Sequence, residues 1–181
     1  MIGWLEIETH DEATGERGSA RWENIVTAAG AEYYLQRFAS QTPTNFVNGA
    51  GAFDGVLELG TAGNVPNSAS TRANMTTKVA GSQRACDGGF PKTDDDDPLN
   101  VLFGTAMPDS ASSPAIEQTV TYKVSYPAGT FTATAVDRAI LTNPSPGASE
   151  PVVAYTTGTA FTVNSSTAVV VRWNHRIQAV V

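Results

Sequence analysis

Cysteine, histidine and charge are all scarce in this sequence. One cysteine, Cys86, in 181 residues excludes an internal disulfide framework and a multi-cysteine zinc site, and is compatible with folding in a reducing cytoplasm. The two histidines, His10 and His175, are too few for most zinc sites unless carboxylates join them. Charged residues make up only 16% of the chain, and arginine and lysine occur singly rather than in clusters. With a net charge of −7 and a pI near 4.7, a nucleic-acid partner would be bound against the protein's own long-range field. No apolar run approaches the ~20 residues that span a bilayer, so no membrane helix is expected. The acidic start MIGWLEIETHDEATGE lacks the basic and apolar regions of a signal peptide, which predicts a protein made in a cytoplasm. G-x-S-x-G, H-E-x-x-H and G-x-x-x-x-G-K-[ST] are missing too, and NGAGAFDG (48–55) has misplaced glycines and no following helix for a dinucleotide loop. No enzyme and no cofactor are expected.

Threonine, alanine, serine, glycine and asparagine are plentiful instead, a bias toward strands and turns. The stretch TVTYKVSYPAGTFTATAV (119–136) shows the period of a half-buried strand: Val120, Tyr122, Val124 and Tyr126 on one parity, threonines, lysine and serine on the other. Broken once at Pro127-Ala128-Gly129, it predicts a β-hairpin with one core face and one wettable face. Strands are expected at 118–126, 130–136, 152–163 with a break at Gly158, and 167–178. Their spacing predicts an antiparallel β-sandwich, Ig-like or jelly-roll-like. Val169, Val171 and Trp173 alternate with Val170 and Arg172, which marks the last strand as central and covered on both faces.

The first half of the chain is organised differently. Residues 1–23 read as an extended arm, too poor in apolar residues to form a core alone; Ile2, Trp4 and Leu5 are its expected anchors on a partner. Residues 24–181 then form a single domain. It opens with one amphipathic helix at about 27–39, capped by Thr27, with Ala31, Tyr34, Leu35 and Phe38 as its stripe. Strand candidates at 53–59 and 99–103 flank a long irregular insert at about 60–98, a connection of the kind that rests on a neighbour or serves a function.

Two groupings call for chemistry to be considered. Cys86 and His175 could form a nucleophile and base, although the simpler reading is a structural cysteine and a surface histidine. Asp94, Asp95, Asp96 and Asp97 repel one another, so the loop TDDDDPLN should be solvated, ion-paired with a neighbour, or calcium-bound; its spacing is not that of an EF-hand. The aromatics Trp4, Trp22, Tyr33, Tyr34 and Trp173 leave a carbohydrate-binding module as one further reading, set against core positions for Tyr34 and Trp173.

ENIVTAAGAEYYLQRFAS (23–40), followed by LELGTAGNVPNSAS (57–70), resembles the helix opening and glycine-rich strand of tailed-bacteriophage virion proteins, and 119–143 with 152–177 is similar to the strand set that ends them. Ala31, where leucine is common, and the stretch 75–97 depart from that pattern. The resemblance implies a structural protein with no catalytic residues. It is expected to be a capsid decoration (cement) protein, as a homotrimer bound to the major capsid protein on the outer surface of the virion, or alternatively a tail, neck or head-fibre appendage. It implies neither a nucleic-acid nor a membrane partner.

Overall fold

Alternation at the N-terminus builds a central hairpin rather than an arm. The computed structural model describes residues 2–39, 55–88, 90–93, 117–142 and 151–178. Ten strands and one helix follow in chain order: β1 (Ile2–Asp11), β2 (Arg17–Val26), α1 (Ala28–Phe38), β3 (Val56–Ala62), β4 (Thr77–Lys78), β5 (Arg84–Ala85), β6 (Lys92–Thr93), β7 (Glu117–Tyr126), β8 (Ala133–Thr142), β9 (Ala154–Val163) and β10 (Thr167–Gln178). All ten form one antiparallel sheet, nine of them in the order β4-β3-β8-β9-β2-β1-β10-β7-β6 and β5 pairing with β3, and the sheet curls into a half-barrel.

Residues 2–11 pair along their whole length with β10 (Ile2 opposite Arg176, Asp11 opposite Thr167) and, from Gly3 to His10, with β2. The arm expectation therefore fails. Leu5 and Ile7 enter the core at 0% and 1% exposure, and two flanking ladders satisfy a backbone that an isolated arm would leave to water. The hairpin tip is fastened by Asp11, whose carboxylate accepts from the Ala13 and Thr14 amides and from Asn164 Nδ2 and Ser166 Oγ in the β9–β10 turn. These bonds, that of Asn164 foremost, hold its pKa down to about 2.

The expected hairpin at 119–136 is also corrected. Its parity is as read: Tyr122, Val124 and Tyr126 are buried in the main core. Its two strands are not neighbours, however, because β7 pairs with β10 and β6 while β8 pairs with β3 and β9. After the turn at Pro127, Phe131 folds over the core and stacks edge-on against Tyr126 at 5.2 Å, so the chain crosses to the other side of the sheet. On β7 the threonine face is not open to water, since Thr119 and Thr121 are 1% and 4% exposed, whereas Thr132 and Thr134 after the turn are exposed as read. β10 does lie between two strands, as its pattern required.

The segment read as an irregular insert joins parts of the sheet. Ser82 accepts from the Leu59 amide through its hydroxyl and from Tyr126 Oη through its carbonyl, Cys86 N donates to Gly55 O, and Asp87 N donates to Lys123 O while its carboxylate takes the Ser125 amide and hydroxyl. Residues 82–87 thus lace β3 to β7, which are far apart in strand order, and draw the curled sheet toward closure. Residues 63–75 cover the outer face of β3, β8 and β9 instead. Met75 joins Ile140, Val152 and Tyr155 in a second small core, and Arg72 grips Glu58 with two bonds of 2.8 and 2.9 Å.

Helix α1 is capped as its sequence predicts, with Thr27 Oγ1 accepting from Gly30 N at 3.1 Å and donating to the Val152 carbonyl. Its buried stripe is turned from the expected one. Gly30, Tyr33 and Tyr34 face the core and Leu35 is 67% exposed. A Cβ at Gly30 would lie 2.2 Å from the Val153 carbonyl oxygen, so only glycine lets the helix approach this closely.

Candidate functional site

Successive residues of a strand point to opposite faces, and at Asn174 and His175 this divides two polar networks. On the core face, His175 is fully buried. Its Nδ1 meets Tyr34 Oη at 2.6 Å, and Tyr34 Oη meets Tyr122 Oη at 2.9 Å. One amide orientation of Asn24 pairs all of its atoms: the oxygen accepts from His175 Nε2 at 3.0 Å and from Trp173 Nε1, and the NH2 donates to Gly3 O at 2.8 Å. The resulting chain runs Tyr122 hydroxyl to Tyr34 hydroxyl to imidazole to Asn24 to backbone. In it His175 carries its proton on Nε2 and is neutral, and burial pushes its pKa down to about 3. Burial likewise pushes the Tyr34 hydroxyl up.

This arrangement is built for cohesion. Both imidazole nitrogens are engaged, so none is left to activate Cys86, which lies half-buried by Gly55 and Tyr122. The surface position expected for His175 is thereby corrected, because Val169, Val171, Trp173 and His175 share one core-facing parity. Tyr34 and Tyr122 were legible only as core positions, and Asn24 carries no sequence signal, since it lies 151 positions from His175.

On the outer face, Trp4 is half-buried. The Arg21 guanidinium stands 4.9 Å and that of Arg176 5.7 Å from its ring centroid, and its Nε1 donates to Glu6 at 2.7 Å. Glu6 in turn accepts from Asn174, and Asn174 accepts from Thr121 Oγ1 at 2.7 Å. Cross-strand register assembles this group: Arg21 lies opposite Glu6, and Glu6 opposite Arg172, whose Nη1 is 3.0 Å from Glu8. An aromatic ring beside two guanidinium groups, with carboxylates next to it, has the composition that is enriched in protein interfaces generally.

Of the three expected anchors, then, Trp4 lies on this outer face and Leu5 in the core, while Ile2 sits in β1 opposite Arg176. Leu5 is therefore no anchor, for strand parity sends it inward. Asp94, Asp95, Asp96 and Asp97 lie outside the described residues; β6 ends just before them, with Thr93 opposite Val120. Among the described residues, no three His, Cys, Asp or Glu side chains gather as metal ligands, and no helix is long and apolar enough to cross a membrane. Compared with protein-family models, with curated proteins and with solved structures, the chain gave no match.

Proposed function

We propose that this protein is a structural component of a tailed-bacteriophage virion, a capsid decoration protein that stabilises the head by binding as a trimer across neighbouring major capsid subunits. The reading starts from the resemblance of 23–40, 57–70, 119–143 and 152–177 to such proteins. The observation that carries it on the molecule is the Trp4, Arg21 and Arg176 group, an aromatic and guanidinium cluster of the kind enriched where proteins bind each other. The finer description of the fold, a sandwich of Ig-like or jelly-roll type, belongs to the same proposal. It is supported by the second small core that residues 63–75 build on the sheet's outer face.

Counting copies in purified particles tests the assignment. Hundreds per particle are expected; only a few would overturn it and favour a tail or neck appendage, whose rings hold few subunits. The carbohydrate reading draws less support, because Trp22, Tyr33, Tyr34 and Trp173 are buried and only Trp4 of those five aromatics is partly exposed. Binding on a glycan array that is lost in Trp4→Ala would revive it.

A further inference from the structure

The two long flanks of the N-terminal hairpin are not equally zipped. Whereas β1 pairs with β10 over ten residues, β2 pairs with β9 only at Asn24, Ile25 and Val26, opposite Thr156, Tyr155 and Ala154. Beyond that point Arg17–Glu23 pair in backbone ladders only with β1, apart from the Glu23 carbonyl, which accepts from Thr156 Oγ1, and Thr157–Val163 only with β8, among the described residues. Two unpaired strand edges thus diverge inside one sheet.

Where they part, the Trp22 ring lies over Gly158, whose Cα could carry no side chain: a Cβ there would be 2.0 Å from Trp22 Cδ1. Trp22 meets Phe161 at 6.0 Å to floor the opening, and its buried Nε1 finds no acceptor among the described residues. Past the two rings a cavity of about 190 Å3 opens, lined by Ile7, Gly18, Ala20, Thr159 and Ala160 among others. The two ends of the sheet contrast with this. They are the two-residue strands β4 and β6, each carrying a lysine, the usual blunting of an exposed edge.

We propose that the seam between β2 and β9 is a docking site for one extended strand of a partner polypeptide, which completes the backbone pairing left open on the β2 edge. Unpaired N–H and C=O groups in a row select a strand as occupant. Charge narrows its chemistry. Arg17 and Arg21 lie along the open length, and no carboxylate occurs in 17–22 or 157–163. Glu6 and Glu8 stand on β1, on the far side of β2, Glu23 lies at the zipped end, and Asp11 and Glu16 lie at the hairpin tip, where Asp11 is engaged with Asn164 and Ser166. The occupant is thus a strand with acidic side chains on alternate positions and largely apolar residues between them, facing the small Ala20 and Gly18. The site does not depend on the virion reading, since the isolated chain presents it.

Hydrogen exchange of the full-length chain tests the proposal, with the peptide IGWLEIETHD as probe. This is the sequence of β1, which already places glutamate opposite Arg21 on the other edge of β2. In the free protein, alternate amides of 17–23 should exchange faster than those of 24–26. Peptide at about 1 mM should slow them roughly tenfold. A peptide N-methylated at alternate residues, and the Arg17→Glu/Arg21→Glu protein checked for folding by circular dichroism, should each lose the protection. Seam amides already protected in the free chain, no slowing by the peptide, protection confined to other strands, or equal protection by the methylated peptide would each overturn it.

Discussion

The core face and the outer face of the β1–β10 pair hold polar networks of similar size under opposite rules. Inside, His175, Tyr34, Tyr122 and Asn24 are uncharged, enclosed and matched donor to acceptor. Outside, Glu6 and Arg172 are charged although buried, Glu8 and Arg176 are half-buried and Arg21 is exposed, and Trp4 lies beside two guanidinium groups. In an apolar core an unpaired donor costs about 1–3 kcal/mol, whereas at a wet face water replaces a lost partner. Losses should therefore be large and pH-sensitive at His175 in the core, and on the outer face should shrink from the buried Thr121 and Asn174 pair to the exposed Arg21.

Acid gives the largest expected effect. The folded pKa of His175 is depressed from 6.5 to about 3, so the unfolded chain binds this proton first as pH falls. The contribution is fully present above pH 6.5 and is lost progressively toward pH 3, with a slope of up to about 1.4 kcal/mol per pH unit. Urea midpoints between pH 7 and 5 measure it, and His175→Gln should flatten the slope; an unchanged slope would show that the imidazole titrates normally. At neutral pH, His175→Ala should cost about 3–4 kcal/mol, by leaving a cavity and stranding Tyr34 and Asn24, as read from the same urea curves. Tyr34→Phe removes one hydroxyl of the chain and should cost about 1–2 kcal/mol in thermal or urea unfolding.

On the outer face the response is expected to fall with burial. Thr121→Val removes the donor to Asn174 and should cost about 1 kcal/mol. Arg21→Ala, with its arginine exposed over the Trp4 ring, should change stability by only about 0.5 kcal/mol, while altering Trp4 fluorescence. A loss from Arg21→Ala as large as that from Tyr34→Phe would break the contrast between the two faces.

Much of the architecture was legible in local pattern. The Thr27 cap, the helix that follows it, the core parity of β7 and the central place of β10 all rest on interactions within a few residues or on a period of two. Pattern misled where apolar density was low. Ile2 to Asp11 reads as an arm because three acidic residues interrupt it, yet Glu6 and Glu8 take one face while Leu5 and Ile7 take the other, and Asp11 ends the strand at the hairpin tip. On α1, the period was right and the phase was not, because Gly30 sets the face by permitting contact with Val153, and a missing side chain gives no hydrophobic signal.

The sequence by itself determined that this chain would be built of antiparallel strands with one short helix, and which residues along each strand share a face. It did so because side-chain alternation and capping are properties of adjacent residues. Only the tertiary structure decided which strands are neighbours: β7 and β8 are consecutive but apart, and β9 and β10 are separated by the N-terminal hairpin inserted between them. The same long-range pairing brought Asn24 to His175 and placed Arg21 and Arg176 on either strand beside Trp4, and the pairing of β2 with β9 ends at Asn24, next to the Trp22 ring that lies over Gly158. Pairing across more than a hundred residues depends on packing of the whole sheet, which no short stretch of sequence encodes.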